Sequence, residues 1–192
     1  MKRPGKVINL RQVVLLFINA PYPVLLAQDV LSYDKLLKMN TEINLIITSL
    51  KDVLSGKPWY GKSVLTLLDE VNIEIVFMKF NNNPHSIMDL LYHMVTWTEF
   101  TRRRLEKDHF LDVQAFELLD WRETDFEIHT WNNGISQFKA ETNKIIEILN
   151  HTNDDILEEK VEYREYNFRY LLNGLIQHNI YHLGQTAYIN KM

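Results

Sequence analysis

Apolar residues recur at helical spacing in four stretches of this chain. Between Tyr33 and Ser55, the residues Leu36, Met39, Ile43, Ile46, Leu50 and Val53 fall 3, 4, 3, 4 and 3 apart and share one face. Ser32 stands where an N-cap is wanted and Gly56 where a helix stops. A second stripe, Leu90, His93, Met94, Trp97 and Thr101, with Ile87 and Phe100 beside it, predicts a helix from near Ser86 to about Lys107. Ser86 and Asp89 occupy the two positions of a capping box, with Asp in place of the usual Glu. A third helix is expected over about 125–150, where Ile135, Phe138, Thr142, Ile145 and Leu149 align. The last is expected from about Arg169 to Asn190, with Leu171, Leu175, His178, His182, Gln185 and Ile189 on one stripe.

The connections read as breaks. Gly56, Pro58 and Gly61 forbid a helix over 56–62, a loop that carries Trp59 and Tyr60. Ser63 can cap a short helix to about Leu68, and Asn81-Asn82-Asn83-Pro84 is a turn. Residues 108–133, which include Asp120-Trp121-Arg122, read as loop with short helical turns, and 159–168 as a short strand or an extended loop. Four long amphipathic helices without convincing paired strands predict an all-α four-helix bundle spanning residues 33–192.

Ahead of it, Lys2, Arg3, Lys6 and Arg11 precede an apolar run from Val13 to Ala27. That outline suggests a signal peptide, but Asn19, Pro21 and Pro23 break the run and Leu25 stands where a small residue is wanted. The run is too short and too broken for a membrane-spanning helix. We read residues 1–32 as an extension outside the functional domain, with a weak signal sequence or a true start at Met39 as the other readings.

Composition narrows the chemistry. The 192 residues include no cysteine, which excludes a disulfide framework, a Cys-ligated metal site and a cysteine nucleophile. A net charge of −4 argues against a nucleic-acid partner. The remaining signal is histidine. His178 and His182 are four apart and interrupt the apolar seam of the last helix, and Gln185 continues the interruption. Such polar groups in a core seam need partners, at a cost on the order of 2–7 kcal/mol each if they find none. His93 breaks the seam of the second long helix in the same way. Three imidazoles from two facing helices would hold one metal ion and leave positions open for a ligand, the layout of a catalytic site. The opposing reading is three core histidines satisfied by backbone carbonyls. His85, His109, His129 and His151 fall at turns or helix ends and read as exposed and incidental.

Three segments carry a family resemblance. Gly56-Lys-Pro-Trp-Tyr-Gly-Lys-Ser-Val-Leu-Thr-Leu-Leu, His85-Ser-Ile-Met-Asp-Leu-Leu-Tyr-His93-Met-Val-Thr-Trp97 and Tyr170-Leu-Leu-Asn-Gly-Leu-Ile-Gln-His178-Asn-Ile-Tyr-His182-Leu-Gly-Gln185 together resemble the DinB/YfiT-like superfamily over about residues 33–192. The resemblance implies an up-down-down-up four-helix bundle, often a homodimer. It also implies a divalent metal, commonly zinc or nickel, on His93, His178 and His182. Members of known activity include S-transferases that use a low-molecular-weight thiol such as bacillithiol or mycothiol; others are labelled hydrolases.

A metal with open positions can turn a bound thiol into a thiolate near neutral pH, and in a chain without cysteine that thiol must arrive as a cosubstrate. Hydrolysis instead needs an activated water and a general base. Asn179 stands where the glutamate of an H-E-x-x-H protease would be, and Glu99 lies off the stripe of His93. Thiol transfer therefore ranks first, hydrolysis second, and a non-catalytic metal-binding, stress-related bundle third. Trp59, Trp97, Glu99 and Gln185 are expected to line a pocket or support the site. Arg102-Arg103-Arg104 reads as a solvated face, and the stretch from Tyr163 to Arg169 as a site mouth or a packed chain crossing. The expected setting is a cytoplasmic enzyme acting on a small molecule, with no nucleic-acid or membrane partner.

Overall fold

Two amides near the start of the described part of α1 (Thr41–Ser55) are held from far along the chain: the Glu42 and Ile43 N–H groups both donate to the Asp154 carboxylate, at 3.2 and 2.9 Å. The computed structural model describes residues 41–80 and 83–192, which belong to one compact unit. The expected extension 1–32, the first turns of the expected first helix and Asn81-Asn82 lie outside the described residues.

Among the described residues the chain is all-α. After α1 come α2 (Val64–Asp69), a 3-10 turn (Ile73–Ile75), α3 (Ile87–Leu105), α4 (Val113–Glu117), α5 (Trp131–Asn150), a second 3-10 turn (Asp154–Glu158) and α6 (Phe168–Ile189). Each long helix starts where local chemistry predicts. The Ser86 hydroxyl accepts from the Asp89 N–H while the Asp89 carboxylate accepts from the Ser86 N–H, a complete capping box of the kind worth about 1 kcal/mol. Thr130 caps α5 through the Asn133 N–H, which places its start at Trp131 rather than near 125; Asp125 to His129 form a turn instead. Asn167 caps α6 through the Tyr170 N–H. Residues 159–168 contain only a single antiparallel bridge, Lys160 to Asn167, closer to the extended loop than to a strand.

The four long helices form a ring. α1 packs on α5 and α6, and α3 packs on the same two, so α3 lies diagonally across from α1. One core cluster joins Leu50, Phe100, Ile145, Leu149 and Leu172; another joins Leu91, Met94, Phe138 and Leu183. α5 comes close to α3 at Gly134, where a Cβ would lie 2.7 Å from Leu91 Cδ2. The arginine run departs from its expected solvated face. Arg104 is 2% exposed, packs over Phe100 and meets Glu162 at 3.3 Å, while Arg102 pairs with Glu141. Arg169 ties the start of α6 to Glu42 and Glu158 at 2.6 and 2.7 Å. No described helix is long and apolar enough to cross a membrane.

Candidate metal centre

α3 and α6 share the seam that the sequence leaves polar. His178, His182 and Gln185 project from one face of α6, and His93 faces them from α3. His93 and His182 are each 5% exposed and His178 is half-buried. One ligating atom from each of the three lies within 4.8 Å of the others, a spacing that can hold a metal ion. His93 Nε2 and His178 Nε2 are 2.8 Å apart.

The outer ring nitrogens decide which atoms are free. His93 Nδ1 lies 2.8 Å from the Asp120 Oδ1 and 3.2 Å from the Asp120 carbonyl, both acceptors, so Nδ1 carries the proton and Nε2 offers a lone pair. His182 Nδ1–H donates to Gln185 Oε1 at 2.6 Å, which leaves its Nε2 free in the same way. His178 Nδ1 lies 3.5 Å from Asn179 Oδ1. This is the arrangement in which outer acceptors fix the tautomer of a ligating imidazole. Two acceptor nitrogens brought together in a buried seam suit a cation between them, so the residues present fit a divalent metal.

Electrostatics point the same way. Burial pushes the His178 pKa down to about 3, helped by His182 and His93 beside it. Burial pushes His182 down to about 4 against the opposing Gln185 hydrogen bond, and lowers His93 against the pull of Asp120. All three are neutral near pH 7, the form that ligates metal.

The loop after α4 completes the site. Asp112 caps α4 through the Ala115 N–H, and buried Phe116 anchors the short helix in the core beside Phe100. The turn that follows lays the chain back along α3. The Leu119 carbonyl accepts from Thr96, and the Asp120 carboxylate accepts from the Trp97 indole N–H at 2.6 Å as well as from His93. The Trp121 ring stacks on His93 with centroids 3.7 Å apart and planes 9° apart. Arg122 bonds Thr96 and sits over Tyr92, and Thr124 donates to Asp89 at 2.5 Å. His85 stacks on Trp121, again at 3.7 Å, so Trp121 lies against an imidazole on two sides.

The structure therefore brings together His93, His178, His182, Gln185 and Trp97. Two expected neighbours stand apart. Trp59 is fully exposed on its loop, because Gly56, Pro58 and Gly61 carry that loop away from any packed face, and it makes no ring contact with the site. Glu99 faces Arg102 and Arg103 at 4.0 and 3.8 Å, about 120° around the helix from His93. His85, read as incidental, is half-buried against Trp121. Asp120 and Trp121 were visible only as part of an unassigned loop. Their sequence signal was only an acid next to a tryptophan.

The chain belongs to the DinB superfamily, whose family model matches residues 61–186. That match covers α2 through all but the last three residues of α6, and every residue of the site. No curated protein and no solved structure matches the chain.

Proposed function

We propose that this chain is a divalent-metal-dependent enzyme, and more narrowly a transferase that uses a low-molecular-weight thiol. One observation carries the reading: three neutral imidazoles converge from α3 and α6, and no fourth His, Asp or Glu joins their cluster among the described residues. Such a donor set leaves positions for a ligand from solution, and zinc or nickel suits it. A metal held there supplies the Lewis acidity that lowers the pKa of a thiol cosubstrate to near neutrality.

The chain's own groups favour thiol transfer over hydrolysis. The Asp120 Oδ1 already accepts from both His93 and Trp97, and Glu99 is occupied by two arginines. Neither is placed as a free base to activate water, whereas a thiol needs only to lose its own proton. The roles of the protein are then to hold three imidazoles in their ligating tautomer, keep water away with Trp121 and the core, and seat the electrophile beside His178. The same reading takes the protein to act in the cytoplasm, as a homodimer, on a small molecule.

The test is a conjugation assay on the zinc- or nickel-loaded full chain, with bacillithiol, mycothiol and 2-mercaptoethanol against an electrophilic chloronitrobenzene. A saturable rate above the uncatalysed one, lost in His182→Ala, supports thiol transfer. Rates equal to background with every thiol, beside turnover of an activated ester, would assign the site to hydrolysis instead.

A further inference from the structure

A cavity of about 180 Å3 opens beside the histidine cluster, with His178 in its wall. Trp97, Tyr166, Tyr170 and Leu175 line it, with Gly174 and His178 in the same wall. Its surface is mostly apolar, and two of the polar groups in its wall are already committed. The Trp97 N–H is given to Asp120, and the Thr101 hydroxyl is given to the Trp97 carbonyl. Three aromatic faces remain, and the Tyr166 and Tyr170 rings stand 5.1 Å apart at 36°.

Gly174 explains why the cavity exists. It sits in the interior of α6, where glycine is less favourable than alanine. A Cβ there would meet no atom within 4 Å, so close packing does not require the glycine. Gly134 is the contrasting case, since its missing side chain lets two helices touch. At Gly174 the missing side chain leaves only space, and that space borders a candidate metal ligand.

We propose that this cavity is the site for the substrate's apolar group, and that it selects a single aromatic or compact aliphatic ring. The size fits: an apolar cavity of about 150 Å3 is enough to take up benzene. The ring would lie among Trp97, Tyr166 and Tyr170, with the atom it carries directed toward His178. Small hydrophilic molecules gain nothing from such walls. The substrate class rests on the metal-enzyme reading, but the ring site itself does not.

The probe is 4-fluorobenzyl alcohol, followed by 19F NMR on the metal-free full chain, with Gly174→Leu and His182→Ala beside the parent. The expected result is saturable one-site broadening in the parent, retained in His182→Ala and weakened at least tenfold in Gly174→Leu. Zinc stoichiometry is measured on the same samples. Gly174→Leu is expected to keep the parent's zinc content and to melt no lower than the parent, so loss of the probe cannot come from unfolding. No saturable binding in the parent, or equal binding in Gly174→Leu, would overturn the proposal whatever the metal content. Absent zinc uptake with intact probe binding would instead sink the metal reading and leave the ring site standing.

Discussion

The Asp120 carboxylate lies 2.8 Å from His93 Nδ1, although the two residues are 27 positions apart and on different elements. Through that contact a loop controls a helix. Asp120 holds His93 in the tautomer whose Nε2 faces α6, and its second donor, the Trp97 indole, keeps the carboxylate in place.

Replacing Asp120 therefore affects metal affinity more than stability. Asp120→Ala is expected to weaken zinc binding about 10- to 100-fold, the usual cost of losing an outer partner of a ligating histidine. Asp120→Asn keeps an acceptor oxygen and should lose less. Gln185→Ala removes the hydrogen bond on His182 Nδ1 and should lose affinity in the same direction. Competition against a chromophoric chelator reads all three. Unchanged affinity in Asp120→Ala would show that the loop does not set the imidazole.

Gly134 and Gly174, each inside a helix, should respond in opposite directions to the same change. Gly134→Ala puts a Cβ 2.7 Å from Leu91, which is 1% exposed and has no room to yield. Overpacking of about 1–3 kcal/mol outweighs the gain in helix propensity, so the melting temperature falls. Gly174→Ala meets nothing and gains about 0.5–1 kcal/mol, so the melting temperature rises. Thermal unfolding of the two variants decides it, and a fall in both would mean that the wall around Gly174 is tighter than its geometry indicates.

Asp89 predicts a pH dependence with a definite sign. Burial raises its pKa, but the Ser86 N–H, the Thr124 hydroxyl and Lys79 together outweigh burial and hold it below the ordinary 3.8. The unfolded chain then takes up this proton more readily than the native one. The contribution of the carboxylate is complete above its unfolded pKa and is lost as the pH falls through its lower native value. Asp89→Asn should cost about 1–3 kcal/mol near neutral pH. Urea unfolding should show that deficit unchanged from neutrality to about pH 5 and shrinking below about pH 4. A deficit that stays constant down to pH 3 would contradict the assignment.

Much of the fold was legible in the sequence because it rests on local rules. The Ser86–Asp89 box and the 3–4 spacing in α3, α5 and α6 are short-range signals that tertiary packing reinforces. The helix seams also pointed to His93, His178, His182 and Gln185, since a polar residue in an apolar stripe stands out. What the periodicity missed came from elsewhere. Asp120 and Trp121 reach the site along an irregular loop whose path is set by Phe116 in the core, and no spacing rule predicts that. Trp59 was misplaced because an aromatic on a loop looks the same in sequence whether it packs or faces water. Arg104 was misread because a charge run hides the one member that Glu162 and Phe100 draw inward.

The central claim is that His93, His178 and His182 hold one divalent metal. Elemental mass spectrometry on the full chain, purified without an affinity tag, tests it most directly, beside His178→Ala. The account predicts about one zinc or nickel per chain in the parent, as purified or after incubation with the metal, and little in the variant. No metal in the parent after incubation with zinc, nickel or manganese, or equal metal in His178→Ala, would contradict it.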